Sequence, residues 1–300
     1  MPAQRTLRHS TPCTGIGLHS GQKVSIVLKP APADHGIRFV RTDLNQEVRA
    51  TIDSLGGAQQ LQTGLRVGDA SIETIEHLLS ALRSLGVDNV LVELNQPEVP
   101  IMDGSASPWV YLIQSTGTVE QAAPRRTIEV LRSVEVQEGD KRITVHPYDG
   151  FKVTYAISFD HPLLRHQEKS LEVSEQVFVD EIAPARTFGF LKDVELMRQR
   201  GLALGGSLDN AVVIGETGVL NPLRFDDEFV RHKMLDAIGD LALLGHPIRG
   251  HVVVQRGGHA LHTKFAAELL RQPDAWRLVD ASEPSGVPAA TRVPARSTAR

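Results

Sequence analysis

The chain has 300 residues, and at roughly 100–200 residues per domain this length favours two domains. Its 32 Lys and Arg against 36 Asp and Glu give a formal net charge of −4, so the chain lacks the basic excess that nucleic-acid-binding proteins place against a phosphate backbone. The apolar fraction of 41% and the charged fraction of 23% are ordinary for globular proteins and exclude a disordered chain.

Cysteine usage and the N-terminus indicate a cytoplasmic protein. Cys13 is the only cysteine, which excludes intramolecular disulfides and a thiolate zinc cage, so a metal would have to be held by His and carboxylates. The N-terminal segment lacks the apolar core of a secretory signal, and no window reaches about 18 uninterrupted apolar residues. We therefore expect neither a nucleic-acid partner nor stable membrane insertion.

The first half of the chain predicts a strand, a helix and a second strand. Residues 23–28 alternate between polar and apolar side chains, as half-buried strands do. Residues 71–85 carry apolar side chains at helical spacing, and Gly86 supplies a C-terminal stop. The apolar run 89–94 then predicts a strand.

The second half repeats this order. Residues 151–159 alternate as a strand, and a helix is predicted from about residue 227 to residue 244, where Gly245 ends it. The apolar run 251–254 follows and predicts another strand. The recurrence of helix, glycine stop and strand indicates a weak internal duplication.

One segment between the halves predicts a linker. Residues 115–126 are poor in apolar periodicity and contain Pro124. We expect an N-terminal α+β domain over residues 1–120 and a C-terminal α+β domain over 127–280. Residues 281–300 are rich in proline, show no helical or strand period, and predict a flexible tail.

The second predicted helix carries a possible metal-binding pair. His232 and Asp236 stand at positions i and i+4, so both project from one face about one turn apart. Asp240 lies a further turn along the helix, a position from which its side chain could support a metal ligand by a hydrogen bond. The alternative is a solvated His–Asp pair, because such pairs are common on helices that bind no metal.

The first predicted helix offers adjacent Glu76 and His77, roughly 100° apart around the axis. His77 would complete a His-His-Asp set with an open fourth position, the pattern of catalytic zinc. Glu76 would then flank the bound water as a general base. An exposed Glu-His dipeptide is the alternative.

Near the C-terminal end, His259 follows a turn of two glycines, a position from which loop residues often reach a site. A cationic imidazole there could protonate a leaving amine or stabilise an oxyanion. The alternative is a histidine that merely starts a helix. The glycine-rich segment 14–21 lacks the strand, third glycine and lysine of phosphate-binding loops, so we reject a nucleotide-binding fold.

Seven ordered strings carry a resemblance to a known family: TGIGLHSG, TIEHLLSAL, VPIMDGSASPWV, ARTFGF, GLALGGSLDNAVV, FVRHKMLDAIGDLALLG and GGHAL. They resemble, nearly word for word, the zinc-dependent UDP-3-O-acyl-N-acetylglucosamine deacetylases of lipid A biosynthesis, which serve the Gram-negative outer membrane. The resemblance covers about residues 4–275. Shorter stretches around residues 163–171 and 214–218 are less similar.

This resemblance implies an α+β fold of two similar domains, each a small sheet layered with two helices, with the helices sandwiched between the sheets. The implied reaction is hydrolysis of the C2 acetamide of a UDP-3-O-(3-hydroxyacyl)-N-acetylglucosamine, giving acetate and a free amine, with one catalytic Zn²⁺ per chain. The amine product is committed to lipid A. Contact with membrane-associated enzymes of the pathway would be transient.

The resemblance also assigns roles to individual residues. The implied zinc ligands are His77, His232 and Asp236, and the implied general base is Glu76. The implied general acid is His259, with Asp240 as its partner. Thr187 is implied to hydrogen-bond the oxyanion, and Lys233 is implied to contact the substrate as a cation.

Substrate contacts follow from the same match. The segment GLALGGSLDNAVVIG resembles an inserted strand-helix-strand unit that forms an apolar passage for the fatty-acyl chain. Phe159 resembles an aromatic residue that packs on the uracil, and Arg256 a cation near the diphosphate. The other residues expected to contact the substrate are Leu18, His19, Phe188, Leu191, Val194, Ala203, Ser207, Leu208 and Val213.

Two other functions compete with this one. A related zinc amidohydrolase could act on a different acylated sugar nucleotide, and defined substrates would separate the two. A non-catalytic zinc-stabilised binding protein would need a closed site of four ligands, and no fourth Cys or His stands at suitable spacing.

Overall fold

The computed structural model describes residues 2–57 and 61–286. In the first half it contains nine strands and two helices within these residues. They are β1 (Ala3–Leu7), β2 (Thr11–Ile16), β3 (Lys23–Pro30), β4 (Ile37–Arg41), β5 (Gln46–Arg49), β6 (Gly64–Val67), β7 (Ala70–Glu73), α1 (Glu76–Ser84), β8 (Val90–Leu94), α2 (Ser107–Thr116) and β9 (Thr118–Pro124).

The second half begins directly after β9. Its elements are β10 (Arg126–Val130), β11 (Val134–Glu138), β12 (Lys141–His146), β13 (Phe151–Ile157), β14 (Gln167–Glu172), α3 (Glu175–Val177), β15 (Phe188–Phe190), α4 (Leu191–Gln199), β16 (Val212–Ile214), α5 (Glu228–Leu241), β17 (Ile248–Gln255), α6 (His259–Leu270) and β18 (Trp276–Asp280). A π-helical turn, Phe178–Ile182, follows α3, and α5 runs on into a 3₁₀ turn, Ala242–Leu244.

Two five-stranded arrangements repeat one topology. In the order β2-β3-β8-β4-β5, the successive pairings are antiparallel, antiparallel, parallel and antiparallel. The order β11-β12-β17-β13-β14 has the same four pairings in the same sequence. The central strand of each arrangement, β8 or β17, comes next after the long helix α1 or α5. The internal duplication predicted from the sequence is therefore visible in the strand pairing.

The helices fill the middle of the molecule. Helix α1 packs against α5, α2 packs on α1, and α6 packs on α5 and on the second sheet. Every residue of α5 except Lys233 is buried, so this helix is enclosed by the rest of the fold. The α+β architecture with helices between two sheets is confirmed.

Most predicted elements are present, with two differences. Residues 71–73 belong to β7, and Thr74 has a φ of 57°, so the first helix begins at Glu76 rather than at residue 71. The segment 115–126 is not a bare linker, because β9 lies within it and pairs antiparallel with β1. The domain boundaries stay a prediction.

The C-terminal segment is partly described. The backbone N–H of Gly286 donates to Glu129, and the carbonyl of Glu283 accepts from Arg249, so the first residues of the predicted tail lie against the second sheet. The rest of that prediction, from residue 287 on, lies outside the described residues. Within the described ranges, no helix has the length and apolar character needed to cross a membrane.

Candidate metal centre and active site

Helices α1 and α5 bring three potential metal ligands together. Nε2 of His232 lies 3.2 Å from Oδ1 of Asp236, and Nε2 of His77 lies 3.6 Å from the same oxygen. The two imidazole rings meet edge to face, with centroids 4.9 Å apart. All three side chains are buried, which excludes the solvated His–Asp pair that the spacing had left open.

The donor atoms of this group fit a divalent cation. Nδ1 of His232 is 3.0 Å from the carbonyl oxygen of Ala185, so this nitrogen carries the proton and Nε2 is left with its lone pair. Oδ1 of Asp236 is buried and has no hydrogen-bond partner among the described residues. A buried, unpaired carboxylate oxygen is costly unless a cation lies against it. Two imidazoles and one carboxylate are the donor types of catalytic zinc.

Asp236 is held in its charged form. Burial alone raises its pKa, but the neighbouring His232 and Lys233 outweigh burial and hold the pKa of this carboxyl well below its ordinary value. Nζ of Lys233 donates to Oδ2 of Asp236 over 2.7 Å. One carboxylate oxygen is therefore occupied by a lysine, and the other is free to face a metal.

Glu76 lies beside this group as the first residue of α1. Its side chain is buried, and Oε2 accepts a hydrogen bond from the backbone N–H of Thr63 over 3.1 Å. Burial raises the pKa of the Glu76 carboxyl, although the charges of His259 and His77 oppose part of that rise. A carboxylate with a raised pKa is a better proton acceptor than an exposed one.

His259 is the first residue of α6 and is buried against the same site. Its Nδ1 lies 2.9 Å from Oδ2 of Asp240, and its Nε2 lies 3.9 Å from Oδ2 of Asp236. Burial lowers the pKa of the imidazole, but the charges of Asp240 and Asp236 outweigh it and raise the pKa to about 9. The ring is thus a helix-start histidine and also a cation that faces the ligand group.

Asp240 accepts hydrogen bonds from three side chains. Besides His259, the hydroxyl of Thr63 donates to Oδ1 over 2.5 Å, and Nδ1 of His262 lies 2.8 Å from Oδ2. Asp240, His259 and His262 also have the donor types of a metal site. Their facing atoms are already hydrogen-bonded to one another, however, whereas Oδ1 of Asp236 is not.

A cavity of about 550 Å³ opens beside His232 and Lys233. The inserted unit β15-α4-β16 forms much of its wall, with β15 parallel to β16. The lining contains every residue predicted to contact the substrate except Arg256, together with the predicted oxyanion donor: Leu18, His19, Phe159, Thr187, Phe188, Leu191, Val194, Ala203, Ser207, Leu208 and Val213.

Arg256 lies elsewhere. It has a φ of 54° at the end of β17, and its Nε pairs with the carboxylate of Asp140 over 3.1 Å. Both side chains are about half exposed or more. The guanidinium does not line the cavity.

Aromatic rings link the cavity to the ligand group. The ring of Phe188 packs edge to face against Phe159 at 6.0 Å and lies 6.2 Å from the His232 ring. Nζ of Lys233 is 5.7 Å from the centroid of Phe188. The strand β15 therefore places an apolar surface directly beside the proposed metal ligands.

His19 enters the cavity wall from the loop after β2. Both ring nitrogens are buried and have no hydrogen-bond partner among the described residues, and burial lowers the pKa of the ring. The carboxylate of Glu98 holds this loop by accepting from the backbone N–H groups of His19 and Ser20, at 2.7 and 2.8 Å. A Cβ on Gly17 would lie 2.2 Å from Oε2 of Glu98, so a larger residue there would have to displace the carboxylate that holds the loop.

Several polar residues at the site could not be identified from the sequence. Thr63, His262 and Glu98 carry no motif of their own, and each becomes significant only through a partner that is distant in the chain. His262 stands three residues after His259 in α6. A second histidine on the same helical face was the one signal that could have pointed to it.

Comparison with known proteins gives a family match over most of the chain. The family model described as UDP-3-O-acyl N-acetylglycosamine deacetylase matches residues 4–271. The chain is 50% identical over 293 residues to the UDP-3-O-acyl-N-acetylglucosamine deacetylase of Pseudomonas entomophila (strain L48), covering 96% of this chain and 97% of the relative.

Two further relatives carry the same name. Identity is 50% over 285 residues to the protein of Thioalkalivibrio sulfidiphilus (strain HL-EbGR7), with 93% of each chain covered. It is 48% over 298 residues to that of Alcanivorax borkumensis (strain ATCC 700651 / DSM 11573 / NCIMB 13689 / SK2), with 96% of each covered. A family match over nearly the whole chain and relatives at this identity lead to one conclusion: the chain belongs to the UDP-3-O-acyl-N-acetylglucosamine deacetylase family.

Proposed function

We propose that this chain is a metal-dependent amidohydrolase that removes the acetyl group from the C2 amide of UDP-3-O-(3-hydroxyacyl)-N-acetylglucosamine. The products are acetate and UDP-3-O-(3-hydroxyacyl)-glucosamine, and the step commits the sugar nucleotide to lipid A. One Zn²⁺ per chain is the proposed cofactor. The deacetylase names of the relatives support the reaction type.

One observation carries the proposal. The unpaired Oδ1 of Asp236 is 3.2 and 3.6 Å from two imidazole nitrogens, and the buried carboxylate of Glu76 and the buried imidazole of His259 are near this group. Three neutral or anionic ligands, a base and an acid are the parts that metal-assisted hydrolysis of an amide requires. A closed structural site would have a fourth protein ligand instead.

His77, His232 and Asp236 would hold the metal. When bound, a divalent cation polarises the amide carbonyl and makes a neighbouring water more acidic. Glu76 takes a proton from the attacking water, whose oxygen adds to the carbonyl carbon. The hydrogen bond from the Thr63 backbone N–H fixes the orientation of the Glu76 carboxylate during this transfer.

His259 completes the reaction. Its protonated ring donates to the amide nitrogen as the carbon–nitrogen bond breaks, so that acetate and a free amine are formed from the amide and one water. Asp240 holds the ring through Nδ1, which leaves Nε2 to face the reacting atoms. Thr187 and Lys233 line the cavity beside this point and are proposed to contact the developing oxyanion and the substrate.

The cavity beside Phe188 is proposed to take the 3-O-acyl chain. Its lining is mainly aliphatic and aromatic, which suits a hydrocarbon ligand. Phe159 is proposed to pack on the uracil. Contact between Arg256 and the diphosphate stays a prediction, as do the cytoplasmic location and transient contact with membrane-associated enzymes.

The proposal is tested with purified protein and the defined UDP-linked substrate. Protein stripped with a chelator and then reloaded with Zn²⁺ should release acetate and free amine in equal amounts, and the stripped protein should release neither. The same substrate without its 3-O-acyl chain is the control that tests whether the cavity binds that chain. Failure of the metal-loaded protein to release acetate would overturn the proposed reaction.

A further inference from the structure

Asp240 is buried against His259, and a second histidine of α6 contacts the same carboxylate oxygen. Nδ1 of His262 lies 2.8 Å from Oδ2 of Asp240, the same oxygen that His259 engages at 2.9 Å. The side chain of His262 is fully buried. Its second ring nitrogen, Nε2, lies 3.1 Å from the phenolic oxygen of Tyr155, which is also fully buried.

The ionised state of Asp240 determines which groups donate and which accept in these contacts. An ionised carboxylate only accepts, so Nδ1 of His262 carries the proton that is donated to Asp240. Nε2 then has a lone pair, and the hydroxyl of Tyr155 donates to it. Burial lowers the pKa of the His262 ring, in keeping with a neutral imidazole that carries a single proton. The order of donation is Tyr155 to His262 to Asp240.

The backbone is packed closely around this pair. A Cβ built on Gly257 would lie 3.0 Å from Nε2 of His262 and 3.0 Å from the hydroxyl of Tyr155. Gly257 belongs to the turn that leads into His259, so the pair also supports the segment from which the proposed acid starts. An apolar residue at position 262 would fill the space and leave the tyrosine hydroxyl and one carboxylate lone pair unmatched.

We propose that His262 and Tyr155 are positioning residues that hold the Asp240 carboxylate in the plane His259 requires. This inference rests on the proposed deacetylation. A carboxylate can rotate about its last bond, and three donors remove that freedom: the Thr63 hydroxyl, from the segment before β6, and the two imidazoles of α6. Groups that orient a reactive side chain in this way raise turnover without touching the substrate.

Three variants separate positioning from mere packing. His262→Leu removes the donor to Asp240, whereas His262→Asn keeps an N–H close to the place of Nδ1. Tyr155→Phe removes one oxygen and leaves the ring. The control is His251→Leu, because His251 is a histidine of β17 that is hydrogen-bonded to Thr154 and takes no part in the Asp240 contacts.

Turnover, KM, metal content and melting temperature are measured for each variant in the metal-loaded enzyme. We expect His262→Leu to lower kcat by roughly 10- to 100-fold, a range typical of groups that support a reactive residue, with KM and metal content unchanged. Tyr155→Phe should lower kcat by roughly 2- to 10-fold, because it removes one hydrogen bond. His262→Asn should recover most of the turnover lost in the leucine variant.

The outcomes are separable. If the wild-type enzyme released no acetate, the proposed function would be overturned and this role with it. If the wild type is active and His262→Leu turns over like His251→Leu, the positioning role is wrong. Equal losses in the asparagine and leucine variants, in step with equal drops in melting temperature, would also overturn it. Should the leucine variant fail to fold, Tyr155→Phe decides, and wild-type turnover in that variant would contradict the proposal.

Discussion

A Cβ atom built on Gly239 would lie 2.0 Å from the carbonyl oxygen of Glu76. Helices α1 and α5 therefore meet backbone to backbone at this point, with no room for even a methyl group. Glu76 and His77 stand on one side of the contact, and Asp236 and Asp240 are within one turn of Gly239 on the other. The close approach of the two helices sets the distances within the proposed site.

Gly239→Ala should separate the two helices. Alanine favours a helix over glycine by about 1 kcal/mol, yet the added methyl must push α5 away from Glu76. We expect a large loss of bound metal and of activity together with a lower melting temperature, measured by elemental analysis, acetate release and thermal unfolding. Gly218→Ala is the control, since a Cβ there meets nothing within 4 Å. Full metal content in Gly239→Ala would contradict this account.

His232→Ala should empty the metal site. The substitution removes one of three proposed ligands and leaves only His77 and Asp236 to hold the metal, so affinity should fall sharply. Metal per chain after dialysis is the measurement. His166→Ala provides the comparison, because the His166 side chain is 65% exposed and outside the site. Wild-type occupancy in His232→Ala would show that the ligands have been assigned wrongly.

Glu76→Gln should keep the metal and lose turnover. Glutamine retains an oxygen for the Thr63 N–H but cannot accept a proton from water, and loss of a general base costs roughly 10²- to 10⁴-fold. Metal content and kcat are measured on the same preparation. Parallel loss of both quantities would make Glu76 a ligand rather than the base.

The pH profile of kcat/KM should respond to Asp240. Activity needs Glu76 ionised and His259 protonated, so the profile rises and then falls with pH. The negative charge of Asp240 helps to raise the pKa of His259 to about 9, and its removal lowers that pKa. Asp240→Asn should therefore move the alkaline limb to lower pH, while Asp140→Asn, a change at an exposed carboxylate, should leave it in place. An unmoved limb in Asp240→Asn would argue against His259 as the acid.

A buried ion pair beside the site should govern acid stability. Both oxygens of the fully buried Glu228 accept from Arg186, and the backbone N–H of Arg224 adds a further donor. Burial raises the pKa of Glu228, but these donors outweigh it and bring the pKa below its ordinary value of 4.5. A lowered pKa stabilises the fold above pH 4.5, and this contribution is lost as the pH falls through the folded-state pKa.

Glu228→Gln should accordingly reduce the free energy of unfolding at pH 7 by roughly 3–5 kcal/mol, because Arg186 is left as an unpaired buried charge. Urea unfolding of the metal-free protein measures this, and the difference from wild type should shrink at acid pH. Glu138→Gln, which breaks the more exposed pair with Lys264, should cost under about 1 kcal/mol. A pH-independent difference would rule out the ionic explanation.

The sequence predicted the elements whose side chains repeat at regular spacing. Helix α5 and the strands β3, β8 and β17 follow from their apolar patterns, and the i, i+4 spacing of His232 and Asp236 already gave two of the three proposed ligands. Strand β9 could not be read in this way, because its side chains are only half-buried or exposed, and its pairing with β1 is a long-range backbone contact.

The hydrogen bonds around Asp240 were equally hidden from the sequence. Thr63 lies in a stretch without periodic pattern, and Tyr155 looks like any apolar residue of an alternating strand. Only folding brings them within reach of α5 and α6, since 177 residues separate Thr63 from its carboxylate partner. Spacing rules describe neighbours along one element and carry no information on such distant pairs.

The division of the proposed ligands between α1 and α5 has a consequence for the timing of metal loading. A ribosome that adds 5–20 residues per second needs roughly 10–30 s to travel from His77 to Asp236. During that interval the growing chain holds one imidazole of the set and no carboxylate partner for it. The three proposed ligands can therefore bind a metal together only after Asp236 has been synthesised and α5 has come to lie against α1.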